Sequence, residues 1–206
     1  MEALAPRVEA SEFMSARTSY LHPIEPASLN LHGVRVVPRT IHFDPRGFLL
    51  ETVRKDDATI EGHKFAMSYT SITVPGEYRD RDRWHVHRVQ TDRFVVVLGE
   101  MILALYDSRS DSPTVGRIEI VRMLGASYEQ SSRTVKEDVP TFLISIPPGV
   151  YHCIGNLSSL PFVLTNFPTE LYNPEDEGRV PFRDVSISSL GGPFEWARVK
   201  NREPHP

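Results

Sequence analysis

From Val34 onward the chain reads as short runs of β-forming apolar residues broken by Gly, Pro, Asp and Asn, the pattern of an antiparallel sandwich or barrel. Candidate strands cover 34–40, 49–53, 65–74, 93–98, 101–106, 118–123, 141–146 and 162–166. The clearest hairpin joins Phe94-Val-Val-Val-Leu98 to Met101-Ile-Leu-Ala-Leu-Tyr106 through Gly99-Glu100, because two apolar runs flank a tight connection containing glycine. Residues 108–114 form a turn cluster, and the polar stretch 127–138 reads as a loop. Residues 1–30 alternate Pro, Glu, Ala and Ser and read as an extended arm with a helical turn near 12–17. Beyond Asn173 the chain is rich in Pro and charge, so 173–206 is expected to be irregular structure and short helical turns packed over the barrel. The expected organisation is an arm, 1–30, and a single all-β domain, 31–206.

With 206 residues, 40% of them hydrophobic, one full-sized core is expected. The balance of 23 Lys and Arg against 27 Asp and Glu gives a net charge of −4, too mild and too mixed for a nucleic-acid surface, and no nucleic-acid partner is expected. A single cysteine, Cys153, excludes an intramolecular disulfide framework. The start Met1-Glu2-Ala3-Leu4-Ala5-Pro6 has neither a basic n-region nor an apolar h-region, and no apolar run approaches the roughly 18 residues that span a bilayer. A cytoplasmic location without membrane contact is the expectation.

Chemistry concentrates in two segments about seventy residues apart: His85-Val-His87 with Asp92 ahead of Gly99-Glu100, and Pro147-Pro148-Gly149 followed by His152 and Asn156. On a strand, His85 and His87 point to one face, so both imidazoles enter one cavity. The two spacings resemble the paired signature segments of a cupin, a small jelly-roll β-barrel whose mouth is lined from opposing strands, with Asp92 where Glu is more usual. Three His and one carboxylate, His85, His87, Asp92 and His152, would suit a divalent transition metal. The plainer alternative is that these histidines hydrogen-bond within the barrel or face solvent.

The chain also resembles the dTDP-4-dehydrorhamnose 3,5-epimerase (RmlC-type) family over roughly residues 34 to 196. The resemblance rests on Asp44-Pro-Arg46-Gly47-Phe48-Leu-Leu-Glu51, Gly99-Glu100, Ser112-Pro-Thr-Val-Gly116, Pro147-Pro-Gly-Val-Tyr-His152 and Leu171-Tyr-Asn-Pro-Glu-Asp-Glu-Gly178. It implies a homodimeric jelly roll that exchanges strands and binds a nucleotide sugar, with no cofactor. The reaction it implies is proton removal next to a C4 ketone, followed by reprotonation from the opposite face. His85 is the implied base, Asp184 its carboxylate partner, and His152 a second pocket histidine that polarises the substrate. A carboxylate beside the base would fix its tautomer and raise its basicity. The substrate contacts implied are Arg46 and Glu51 for the nucleotide, with Arg83 and Tyr172; an Arg fork suits a diphosphate. The plain reading of Arg46 and Glu51 is a surface ion pair near a turn.

Several family positions are filled differently. The lysine beside the developing oxyanion would fall near Asp92, with no lysine between Lys64 and Lys136, and the tyrosine acid falls on Thr165 counted forward from His152 or on Asn166 counted back from Pro174. The aromatic that stacks on the base is Leu49, the nucleotide segment falls in Met67-Ser-Tyr-Thr-Ser71, and the arginine three before the base is Asp82. Losing one oxyanion donor costs about 3 kcal/mol. Three substitutes are open: Arg83, Arg88 or Arg93 for the charge, Tyr69, Tyr78 or Tyr151 for the proton, or a metal polarising the ketone. Three readings follow: a nucleotide-sugar epimerase, a metal-dependent cupin isomerase or oxygenase, and a catalytically silent sugar-nucleotide binder.

Overall fold

The computed structural model describes residues 20–57, 64–127 and 138–200, and eleven strands fall within them. They are β1 (Arg35–Asp44), β2 (Gly47–Leu50), β3 (Tyr69–Thr73), β4 (Arg83–His87), β5 (Asp92–Leu98), β6 (Glu100–Asp107), β7 (Ile118–Leu124), β8 (Val139–Ile146), β9 (Val150–Gly155), β10 (Phe162–Asn166) and β11 (Glu177–Pro181). Two sheets face each other: six strands in the order β2-β1-β8-β5-β10-β3, and five in the order β11-β4-β9-β6-β7. Every pairing between named strands is antiparallel, and the whole is the cupin jelly roll that the sequence suggests.

The hairpin at Gly99 forms as expected. Gly99 has φ +81°, and a Cβ there would lie 2.5 Å from the Pro161 carbonyl oxygen, so only glycine makes this turn. Phe94, Val96, Met101, Leu103, Leu105, Ile144, Ile146, Ile154, Phe162 and Leu164 fill the space between the sheets. A second apolar cluster lies on the outer face of the five-stranded sheet, where Trp84, Ile102, Ala104 and Cys153 pack against Phe182, Phe194 and Trp196. β6, β7 and β9 therefore carry apolar residues on both faces, and alternation decides which side chain looks inward.

Three expectations are corrected. The terminal segment 173–206 holds a strand as well, because Glu177–Pro181 pairs with β4, while the short helical turns expected there form 3-10 helices such as Phe182–Asp184. Charge and proline hid this strand, since one of its faces carries Glu177 and Arg179 into a polar site. The expected strand 65–74 shortens to Tyr69–Thr73, and 49–53 shifts back to Gly47–Leu50. The end of the arm lies along the barrel, where Leu21 bridges Val199 and Ile24 bridges Val121. The helical turn proposed near 12–17 and most of the loop 127–138 lie outside the described residues.

Candidate active site

β4 and β9 are neighbours, and His85 is the direct cross-strand partner of His152. Their rings lie 5.0 Å apart and within 16° of parallel, and the His87 ring is 4.7 Å from that of His85. The alternation of β4 makes this possible: Trp84, fully buried, anchors the strand from outside against Phe182 and Phe194. The Pro-Pro-Gly turn contributes directly, because the Gly149 N–H donates to the His87 carbonyl at 2.8 Å. Gly149 itself has φ +78°.

The facing sheet supplies a carboxylate and an amide. Asp92, 2% exposed, has Oδ2 at 3.3 Å from His152 Nε2 and 3.5 Å from His87 Nε2. Its Oδ1 accepts from Gln90 Nε2 and from Asn166 Nδ2, both at 2.8 Å. On the far side of His87, Asp176 Oδ2 stands 3.0 Å from Nδ1, and the same carboxylate accepts the backbone N–H groups of Arg88, Val89 and Gln90. Burial opposes ionisation of Asp92, but the hydrogen bonds from His152 and His87 outweigh it and hold its pKa far below the usual carboxylate range. Burial likewise works against a charge on His87, and Asp92 and Asp176 together reverse it, raising the His87 pKa.

His85 is the opposite case. Burial first, then the neighbouring His152 and His87, push its pKa down to about 3, so its ring is neutral near pH 7. Its Nε2 is buried and has no hydrogen-bond partner. The nearest carboxylate oxygen is Glu177 Oε1 at 3.7 Å. Glu177 in turn binds Arg179, which also meets Asp80 at 2.7 Å. A neutral, unsolvated imidazole nitrogen beside a fixed carboxylate is an arrangement that can accept a carbon-bound proton.

The structure thus unites His85, His87, Asp92 and His152, and it separates other expected residues from them. Asp184 is not the partner of His85: it is exposed on the 3-10 helix after β11, where its contact is Arg183 at 3.8 Å. The antiparallel register sets Glu177 opposite His87 and Arg179 opposite His85, which brings Glu177 to His85 instead. Arg46 sits at the β1–β2 turn, highly exposed and bonded to Asp44, while Glu51 pairs with Arg54. Both are at the β2 edge of the large sheet, whereas the histidines stand on β4 and β9 of the other sheet. Arg83 opens β4 in an ion pair with Asp82. Tyr172 is exposed beside a cleft of about 580 Å³ that Asn173 and Asp176 also line.

Of the arginines considered for the missing lysine, Arg93 lies on the opposite strand face from Asp92, bonded to the carbonyls of Phe167 and Lys64, and Arg88 is bonded to the Glu175 carbonyl. Thr165 and Asn166 stand on opposite faces of β10. Asn166 is buried and reaches Asp92, whereas Thr165 bonds Thr70. Sequence reasoning missed Glu177, Asp176 and Gln90 as site residues. The adjacent carboxylates after Pro174 were visible, but their partners on β4 lie about ninety residues earlier and depend on a strand that its own composition concealed.

The four-residue metal set does not fit an ion as arranged. His87 spends Nδ1 on Asp176 and turns Nε2 to Asp92 and Gln90, and His152 turns Nε2 to Asp92 and Nδ1 to the Val150 carbonyl. Among the described residues no group of three or more His, Cys, Asp or Glu is disposed to hold a metal. Nor is any helix among them long and apolar enough to cross a membrane.

No protein-family model matches the chain. It is 35% identical over 156 residues to a probable low-salt glycan biosynthesis epimerase, Agl13, of Haloferax volcanii, covering 74% of this chain and 89% of that one. It is 33% identical over 168 residues to the spore coat polysaccharide biosynthesis protein SpsL of Bacillus subtilis, covering 81% and 96%. The crystal structure of a dTDP sugar isomerase from Desulfovibrio desulfuricans superposes with a TM-score of 0.63 at 24% identity, covering 81% of this chain and 92% of that one. Solved dTDP-4-dehydrorhamnose 3,5-epimerases share the fold as well.

Proposed function

We propose, from the fact that this chain belongs to the RmlC-type sugar epimerase family of cupins, that it inverts carbon next to the ketone of a dTDP-4-keto-6-deoxyhexose in deoxysugar biosynthesis. The observation that carries the reading is His85 Nε2, buried and without a hydrogen-bond partner in a histidine-lined site, 3.7 Å from Glu177 Oε1. His85 takes the proton from C3 or C5, and Glu177 stabilises the imidazolium that forms. The electron pair passes to the C4 oxygen, which is held in a site carrying two further imidazoles, His87 and His152. His87, whose pKa Asp92 and Asp176 raise, takes over the electrostatic task of the lysine that the family places near position 92. No metal enters this scheme.

The functional unit in this reading is a homodimer, in which the partner's Arg46 and Glu51 complete the nucleotide end of the pocket. Their place at the sheet edge remote from His85 supports an arm that serves a neighbouring subunit rather than its own. The test is solvent exchange: dTDP-4-keto-6-deoxyglucose incubated with the protein in deuterated buffer takes up deuterium at C3, C5 or both. Absence of uptake over hours contradicts the reading and leaves a silent binder.

A further inference from the structure

Inversion needs two proton carriers on opposite faces of the reacting carbon, and the site described so far has one. A base that both removes and returns the proton gives exchange with retention, so a group on the facing sheet must complete the reaction. At the position where the resemblance expects a tyrosine stands Asn166, whose amide cannot donate a proton at that step. Asn166 instead holds a tyrosine on the adjacent strand. It is in direct register with Tyr69 of β3, and its Nδ2 donates to the Tyr69 hydroxyl oxygen at 2.9 Å while also bonding Asp92 at 2.8 Å.

We infer that Tyr69, positioned by Asn166, is the acid that reprotonates the substrate on the face opposite His85, an assignment that rests on the epimerase reading above. Sheet geometry supports it: His85 stands on the five-stranded sheet and Tyr69 on the edge strand of the six-stranded one. The hydrogen bond supports it too. Asn166 donates to the phenol oxygen, so the phenol's own O–H remains directed elsewhere, and the phenolate left after donation keeps a donor already in place. Burial and the charge of Asp92 raise the Tyr69 pKa, so the group is protonated at neutral pH and ready to give.

The other tyrosines are placed elsewhere. Tyr151 and Tyr106 pack beside Trp84, and Tyr78 against Trp196, all with the outer apolar cluster; Tyr172 is 70% exposed and Tyr20 lies under Lys200. Of the three candidates weighed from sequence, Tyr69 alone is hydrogen-bonded into the network around Asp92. The proton ledger closes without another reagent. The C–H proton goes to His85 Nε2, its electron pair to the C4 oxygen, the Tyr69 proton to carbon from the other side, and both residues re-equilibrate with solvent. Tyr69 is 45% exposed, which makes that last step direct.

The experiment follows deuterium uptake and inverted product in parallel with dTDP-4-keto-6-deoxyglucose, for wild type, Tyr69→Phe, Asn166→Ala and, as a control, Tyr78→Phe. Tyr69→Phe is expected to lower inverted product about a hundredfold, the scale of a lost general acid, while exchange at the same carbon falls less than about threefold. Asn166→Ala is expected to shift the ratio of exchange to inversion in the same direction by about tenfold, a change that a purely structural role would not produce. Inversion by Tyr69→Phe within threefold of wild type overturns the assignment. So does a parallel loss of exchange and inversion, which marks a binding or folding role. A wild-type protein that exchanges nothing removes the epimerase reading itself, and this inference with it.

Discussion

His85 and His152 are direct cross-strand partners whose rings lie within 16° of parallel at 5.0 Å, so each limits where the other's charge can sit. A proton taken by His85 arrives beside a second imidazole and needs a carboxylate to hold it. Replacing His85 by Asn keeps the pocket polar but removes the base. Turnover should fall by at least about a thousandfold with substrate binding nearly intact, as measured by steady-state kinetics and calorimetry. Activity within tenfold of wild type would remove His85 from the chemistry.

Glu177 and Asp184 are distinguished by one pair of variants. Glu177 Oε1 is 3.7 Å from the base, whereas the Asp184 side chain is 57% exposed and meets Arg183. Glu177→Gln should lower kcat about tenfold or more, and Asp184→Asn should leave it within twofold. The reverse order would restore Asp184 as the dyad carboxylate.

Asp92 is the acceptor at the centre of the network. Asp92→Ala leaves His152, His87, Gln90 and Asn166 facing a cavity where their acceptor was, so stability should drop by about 2–4 kcal/mol in urea unfolding. A chelator, by contrast, should change neither stability nor turnover. Loss of activity with EDTA that added Zn, Mn or Fe restores would revive the metal reading.

The lowered pKa of His85 has a sign that can be measured. The imidazole is deprotonated in the folded protein above about pH 3, while in the unfolded chain it takes a proton near its ordinary 6.5. Unfolding therefore binds protons as pH falls from 6.5 toward 3, and stability decreases through that window. Going from pH 7 to pH 5 should cost wild type about 1–2 kcal/mol more than it costs His85→Asn. The acid limb of kcat/KM should correspondingly lie well below 6.5, and a limb at 6.5 would assign the base to another group.

Arg46 and Glu51 test the shared site. In sedimentation the protein should run at twice its chain mass, and Arg46→Ala and His85→Asn should each be nearly inactive alone. Mixed and allowed to exchange subunits, they should recover about a quarter of wild-type activity, because half the dimers are mixed and carry one intact site. No recovery would place Arg46 in its own subunit's site or outside any site.

Much of the scaffold was legible from local pattern. The hairpin at Gly99, the inward pair on His85-Val-His87 and the turn before His152 follow from alternation and turn chemistry, which act over a few residues. The sequence by itself therefore determined that imidazoles from two distant stretches line one interior, and its resemblance supplied the reaction to look for. The tertiary structure decided which carboxylate stands beside His85, which of Thr165 and Asn166 turns inward, and which tyrosine is hydrogen-bonded to Asn166. Those choices depend on the register of β11 against β4 and of β10 against β3 and on the gap between two sheets, contacts between residues about ninety apart. Local periodicity carries no information about such partners, because it fixes the face on which a side chain stands and not what stands opposite.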